Sequence, residues 1–577
     1  MLHPRADDGE VFGHALAAAR NVRAVLGSVG RSYISPTSAE EVTAALNYVA
    51  VRWQARPVGA RVGLAGRTAR MLDPQWWARN VRRELLTENE GMEHAQCVVR
   101  RKGQVYCSDH AFKRKAQRAK RNRETLARLE VQNDEGQALN LLEVSDASVS
   151  NPKLRRAELM VRCRGFEETA KFYGHEAVFL TLTAPSRFHR FSPSGQPNPK
   201  WAGETPKDAQ KYLTEVWARI RAAWNRRGIV PYGFRVAEPH HDGCPHWHIL
   251  LFCPPGLVGW YEPTRAVSRG RLSHHQGAGL VGIAGKYALA DSPMEPGAMD
   301  HRFTYKLIDP SKGSATGYIA KYIAKNVDGI GETGDGVGMD FASGKTAQDA
   351  SARVRVWAST WGIRQFQQIG GPSVTVWREL RKLAEGTVQN DLFEAPRAAA
   401  DRSLWALFWV LQGGPDAGRV ALLKPQWDDS TTGRYGDAVR RVVGVTDADK
   451  VQACQTRLTE WRVQRAGLGL IEEFEADRLH RRDMGRRYPE MQRLGVFDPV
   501  PVPEFEGAER PWTGVNNCTA FLKKGPAGAP ELQAEAIKVA KAEQAQLDRQ
   551  NFAGPWWATS KENHGSNHSG HPGHRTG

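Results

Sequence analysis

The chain has 577 residues, and its 80 Lys and Arg outweigh 63 Asp and Glu to give a net charge of +17 and a pI near 9.6. Such a balance favours nucleic acid over acidic proteins or small anions as the partner, because neutralising phosphates releases condensed counterions. A hydrophobic content of 41% and a charged content of 25% are ordinary for a soluble globular protein with room for two or three domains, and seven scattered cysteines without a CxxC pair argue against a disulfide framework or a zinc ribbon.

The chain begins MLHPRADDGEVF, without a basic start leading into an apolar core, so no signal peptide is expected. Residues 1–90 read as a helical accessory region. Ser38 and Glu41 form a capping box, Val42, Leu46, Val49 and Trp53 fall at helical spacing, and Pro57 ends the pattern. Residues 91–164 read as a basic helical region. Its helix, Ala111 to Arg128, carries Lys113, Arg114, Lys115, Arg118, Lys120 and Arg121. Charges fall all round it, which suits either a solvated helix or a phosphate-binding one, and in a chain this basic these six are candidate nucleic-acid contacts.

Residues 165–383 carry the chemistry. Val178–Thr183 reads as a buried strand, and Pro206–Arg227 as a helix with Tyr212, Val216, Ile220 and Trp224 on one stripe and Gly228 as its stop. A hairpin follows. Tyr232–Glu238 places Phe234, Val236 and Glu238 on one face, and His246–Phe252 places His246, His248, Leu250 and Phe252 on one face, with Asp242-Gly243 as the turn signal. Two imidazoles beside the Glu238 carboxylate could share a divalent cation with coordination positions left open, with Mn²⁺ at least as comfortable as Mg²⁺. His240 and His241, at the turn, are expected to be exposed or to face substrate. After a loop-rich stretch, His301–Ile308 reads as a strand, and Ser314–Asn326 as a helix. Tyr318 and Tyr322 lie four apart on it, about 6 Å along its axis. Lys321 and Lys325 each follow a tyrosine by three and are expected near the same face, while Ile319 and Ile323 form a separate apolar face. Strands with helices on one face fit an α+β sandwich.

Gly329–Lys345 is glycine-rich and contains SGKT, Ser343 to Thr346, but the glycine spacing is wrong for a nucleotide-binding loop, so no ATP site is expected. Residues 384–552 read as mostly helical, with Val451–Arg487 a long charged helix. The apolar run Leu404–Leu411 is far too short to span a bilayer. Residues 553–577, with His564, His568, His571 and His574, read as a disordered tail.

Taken singly the two spacings are weak, since chance supplies about 0.6 His-x-His pairs and about 0.3 Tyr-x3-Tyr pairs in a chain of this composition. In the order apolar strand, His246-Trp247-His248 strand, two-tyrosine helix, the chain resembles the HUH endonucleases of rolling-circle replication and transfer. It is most similar to the phage replication gene A protein family, which the stretches Asn151–Ala170, Phe179–His189 and Trp357–Leu380 also resemble. The resemblance runs from about Glu93 to Leu383. It implies an α+β HUH endonuclease domain with a central antiparallel sheet and flanking helices, the HUH strand central and the nucleophile helix beside it. It implies His246 and His248 as metal ligands and Tyr318 and Tyr322 as nucleophiles; Glu238 is the third ligand by position, and Lys321 and Lys325, by their spacing, would favour the phenolate. The expected function is a metal-dependent, site-specific single-strand nick that initiates phage replication through a 5′-phosphotyrosine. The expected partners are origin DNA, a host helicase and a DNA polymerase in the cytoplasm of a bacterial host, and no membrane. A plasmid relaxase, a single-strand transposase and a non-catalytic metal-containing DNA-binding regulator are the alternatives.

Overall fold

The computed structural model of the chain describes residues 2–29, 39–192, 194–268, 271–330, 339–340, 345–386, 388, 390–415, 417, 421–457 and 459–465. Ser38, Ser343, Gly344, residues 466–487 and the histidine-rich tail lie outside the described residues.

Four helices open the chain: α1 (Asp8–Val29), α2 (Ala39–Arg52), α3 (Leu64–Leu72) and α4 (Pro74–Ala95). Leu46 and Val49 turn inward as their spacing predicts, and pack with Val11, Val22, Trp77 and Leu85 into one apolar cluster. Asp73 caps α4 by accepting from the Gln75 amide, and Pro74 sits where a helix does not need its N–H. Next come α5 (Asp109–Ala127), β1 (Leu129–Asn133), β2 (Ala138–Asn140), α6 (Leu141–Asp146) and α7 (Pro152–Tyr173). The domain boundaries expected at 90/91 and 164/165 therefore fall inside α4 and α7, each a continuous helix.

A five-stranded antiparallel sheet forms the centre. It is built from β3 (Glu176–Thr183), β4 (Tyr232–Pro239), β5 (Pro245–Cys253), then, beyond the hairpin β6 (Trp260–Ser268) and β7 (Arg271–Ala278), β8 (Phe303–Leu307). Its last strand follows the short pair β9 (Met339–Asp340) and β10 (Lys345–Thr346) as β11 (Phe366–Ile369). The spatial order is β11-β4-β5-β3-β8, so the His-Trp-His strand β5 is central. The helices between these strands are α8 (Pro206–Asn225), α9 (Gly279–Ala288), α10 (Ala298–His301), α11 (Ala315–Val327) and α12 (Ala347–Trp361). Thr205 and Asp208 close a capping box on α8, and its predicted stripe is buried against the sheet.

Helices cover both faces of this sheet rather than one. On one face Trp217 of α8 meets Trp247. On the other, Phe166 of α7 meets Phe234, and Tyr322 of α11 meets His248. Covering both faces explains why β4 is buried along its whole length, where an exposed face would have left alternate polar residues. The stretch expected to be loop-rich contains the β6/β7 hairpin. Pro263 and the closely packed Gly259, Gly277 and Gly279 interrupt the alternation by which strands are recognised.

The region after 384 departs most from expectation. After α13 (Val374–Leu380), α14 (Asp391–Asp401) and α15 (Trp405–Val410) it turns to strands: β12 (Leu423–Asp428), β13 (Arg441–Asp447), β14 (Ala453–Gln455) and β15 (Trp461–Arg465). The described part of Val451–Arg487 is thus extended, not helical. Its charges mask a short period-two pattern in which Trp461 and Val463 turn toward Val131 and Leu141, and β15 pairs with β1. The apolar run Leu404–Leu411 is core: Trp405 and Trp409 pack on Phe166, with Gly165 leaving room for Trp405. Among the described residues no helix is long and apolar enough to cross a membrane.

Gly233 in β4 sits at φ 152°, and a Cβ there would fall well inside contact with the Leu250 carbonyl of β5. Gly233→Ala should therefore cost about 2 kcal/mol of stability, read as a lower urea midpoint. An unchanged midpoint would mean that the β4/β5 pair can part without loss.

Candidate metal centre and nucleophile helix

The β4/β5 register sets Glu238 opposite His246 and Val236 opposite His248. Strand periodicity then turns Glu238, His246 and His248 to one face. The two Nε2 atoms are 2.9 Å apart, and Glu238 Oε2 lies 3.5 Å from that of His248 and 3.8 Å from that of His246. All three side chains are largely shielded, Glu238 being only 3% exposed. Burial, followed by the nearby His240, His248 and Lys325, holds His246 well below the usual imidazole range, so its ring is neutral and offers a lone pair. Thr181 on β3 pairs with His248 across the strands, and its hydroxyl lies 3.2 Å from Nδ1, leaving Nε2 for the shared point. Two imidazole nitrogens and a carboxylate oxygen converging this closely fit a divalent cation, and they are the cluster of metal-ligating groups found among the described residues.

The turn between the strands is not exposed. Asp242 is buried, with its carboxylate 3.1 Å from His189 Nδ1, and its carbonyl meets His94 Nε2 of α4. Trp357 Nε1 donates to the Gly243 carbonyl at 2.7 Å. His240 is wedged between His189 and His246, with ring centroids at 4.9 and 4.1 Å, and burial pushes it down to about 3. His240 and His241, expected to be exposed or to face substrate, are half-buried, because α4 and α12 close over the turn, a contact that no local signal reports.

Helix α11 lies across this face. Ser314 caps it by accepting from the Gly317 amide, and the Thr316 amide donates to Glu167 of α7 at 2.8 Å. Ile319 and Ile323 are buried as their spacing predicts. Tyr322 stacks on His248 with ring centroids 4.0 Å apart, and on Phe179 at 5.5 Å; Tyr318 lies 6.4 Å from Phe179. Burial, and secondarily Glu238, pushes the Tyr322 phenol up to about 12.

The lysines sort differently from their spacing. Lys321 Nζ lies 4.8 Å from the centre of the Tyr322 ring, whereas Lys325 turns to Tyr106 at 5.6 Å. The cation over Tyr318 is Lys306 of β8, at 4.6 Å, which no local pattern marks. The α5 cations Lys113, Arg114, Lys115, Arg118, Lys120 and Arg121 are not drawn into the histidine cluster; they line clefts with α1 and α4.

Asn326 was also missed. Its Nδ2 donates to Glu238 Oε1 and to the Tyr322 carbonyl, and Gln365 Nε2 donates to its Oδ1 at 3.4 Å. One residue thus joins the two-tyrosine helix to the carboxylate, leaving Oε2 for the histidines. The signal that could have found it is an amide on the core-facing stripe of α11, beside Ile319, Ile323 and Val327, where a polar group needs a partner. Asn326→Ala should weaken Mn²⁺ binding about 10- to 100-fold by titration calorimetry, the usual effect of removing a group that orients a metal ligand. Unchanged affinity would show that Glu238 is held without it.

The family model described as bacteriophage replication gene A protein matches residues 39–330. Over 407 residues the chain is 39% identical to the replication gene A protein of Escherichia phage 186, covering 69% of this chain and 56% of that protein. It is 36% identical over 416 residues to the replication gene A protein of Escherichia phage P2, covering 68% and 51%. It is 31% identical over 484 residues to a probable replication endonuclease from a prophage-like region of Salmonella paratyphi A, covering 81% and 54%. The chain thus spans about half the length of the curated relatives it matches. No solved structure matches it. With the family model covering half of its residues, the chain belongs to the bacteriophage replication gene A protein family.

Proposed function

We propose that the chain is a site-specific single-strand DNA endonuclease and strand-joining enzyme that starts and ends rolling-circle phage replication, with an HUH catalytic domain running from α7 to about Leu383. The observation that carries this reading is the Glu238/His246/His248 cluster stacked directly against a helix bearing two tyrosines. It is supported by relatives named as replication proteins and replication endonucleases. A regulator built on a structural zinc ion would close its site with four ligands; here three groups converge and an aromatic ring covers them.

A divalent cation, Mg²⁺ or Mn²⁺, held by His246, His248 and Glu238 would polarise the scissile phosphate and offset the Glu238 charge that helps raise the Tyr322 phenol. The chain's own residues supply the rest. A tyrosine Oη attacks phosphorus as its proton leaves to solvent; the P–O3′ bond breaks, and the 3′-oxygen takes up a proton. The 5′-phosphate stays on tyrosine, and the free 3′-hydroxyl primes a host polymerase. The phosphotyrosine keeps the ester's energy, so rejoining needs no ATP. The second tyrosine, one helical turn away, can cut the regenerated origin while the first is still loaded. Lys306 and Lys321 sit over separate rings, so each tyrosine has its own cation. A host helicase in the bacterial cytoplasm would open the duplex ahead.

Tyr318→Phe and Tyr322→Phe should each still form a covalent adduct with an origin oligonucleotide, and the double variant should form none. His246→Ala should lose cleavage by at least about 10²-fold while still binding DNA. An adduct from the double variant, or full chelator-resistant cleavage by His246→Ala, would end this reading.

Strand state offers an independent check. In-line attack is hindered in a stacked duplex, so single-stranded or supercoiled origin DNA should be cut and relaxed linear duplex hardly at all. Equal rates on the three would count against tyrosine attack as drawn.

A further inference from the structure

A second concentration of charge lies apart from the histidine cluster. Helix α4 presents Arg79, Arg82 and Arg83, and helix α5 presents Arg114, Lys115, Arg118 and Arg121, to the walls of a cleft of about 260 Å³. The rest of its lining is Asp8, Leu86, Ser359 and Thr360. A wider cleft of about 660 Å³ shares Asp8, Arg114 and Arg121 and adds Lys113 and Lys120. Positions 114, 118 and 121 fall on one face of a helix, as do 79, 82, 83 and 86, so the two stripes confront each other. The α5 charges that look evenly spread in sequence are therefore not equivalent.

Asp8 is the single carboxylate lining the smaller cleft, and it bridges it: one oxygen lies 2.7 Å from Arg82 Nε and the other 2.7 Å from an Arg121 guanidinium nitrogen. Outside the cleft lining, Arg83 leans on Asn80 at 2.7 Å and on Glu84 at 3.6 Å, and Arg79 on Tyr435 at 2.9 Å and on Asp73 at 4.0 Å. Among the described residues no acceptor is assigned to Lys115 or Arg118, and burial together with cationic neighbours holds both below their ordinary pKa. At the wall of the cleft Thr360 is 4% exposed as a residue, and its hydroxyl is buried without a hydrogen-bond partner. A cleft lined by seven cations and one carboxylate is short of an anion. The stripe from Arg114 to Arg121 rises about 10 Å, whereas successive phosphates of a strand advance about 3.4 Å along B-DNA, so the site suits a polymer better than a single ion.

We propose that this cleft binds the phosphodiester backbone of a DNA strand outside the cutting site, with Asp8 occupying the place of one phosphate until DNA displaces it. A phosphate can bridge Arg82 and Arg121 through two oxygens as Asp8 does, and adjoining phosphates meet Lys115 and Arg118. The choice of DNA as the polyanion rests on the proposed function; the anion deficit does not.

The test uses the full chain, a short strand spanning only the nick and a long strand extending beyond it, with binding read by fluorescence anisotropy over a range of NaCl. Lys115→Gln/Arg118→Gln should lower the ratio of long-strand to short-strand affinity about tenfold and flatten the salt slope for the long strand by about 1.4, the share of two phosphates. Asp8→Asn should tighten long-strand binding several-fold, since no carboxylate then has to be displaced, and it keeps the side chain's size. Three results would overturn the cleft: an unchanged ratio and slope in the double variant, unchanged or weaker long-strand binding by Asp8→Asn with an unaltered unfolding midpoint, or inorganic phosphate competing as well as the long strand at equal phosphate. Failure of the unmodified protein to cut the short strand would instead count against the proposed function and leave the binding result readable.

Discussion

The candidate site depends on one register. Because side chains alternate along a strand, a one-residue slip of β5 against β4 would send His246 and His248 to the opposite face and bring Trp247 to meet α11. Trp247 holds that register from behind. It is fully buried, its Nε1 donates to Gln210 of α8 at 3.0 Å, and the Arg235 guanidinium lies 3.9 Å from its ring centre. The residue between the two histidines thus has a physical role: it is the anchor that aims them.

With the strands fixed, the helix is tied to them and to α7 by polar contacts as well as by apolar packing. Ile319 and Ile323 bury α11 non-specifically, but the Asn326–Glu238 contact and the Thr316–Glu167 contact set where along the sheet it rests. A buried hydrogen bond to a charged group contributes about 1.5–3 kcal/mol, and such bonds are directional where apolar packing is not. The tyrosines are therefore placed through Asn326, Thr316 and Glu167, none of them a candidate ligand, as well as through Glu238 itself.

Much of this was legible in the sequence where the controlling physics is local. The alternation in 232–238 and 246–252, the Asp242-Gly243 turn and the i, i+4 tyrosines are all short-range patterns, and the elements appear where those patterns place them. What escaped was decided at a distance. The hairpin turn is buried because α4 and α12 reach it through His94 and Trp357. Lys306 meets Tyr318 only because β8 borders β3. The strands after 420 are short and charged: β12, β13 and β14 pair with one another, and β15 is completed by the distant β1, so their composition reads more readily as helix than as strand.

The pairing of β15 with β1 has a consequence for the order in which the protein can be made. The central sheet is complete once β11 has left the ribosome, at Ile369, whereas β1 must wait for Trp461–Arg465 before it has that neighbour. Contacts so widely separated in the chain form late, because a long loop must close first. A nascent chain can therefore assemble the sheet carrying the histidines, with the tyrosine helix α11 against it, while the strand that follows the basic helix α5 still lacks one edge partner. That strand acts as a clasp, fastened after the histidine-bearing sheet has formed.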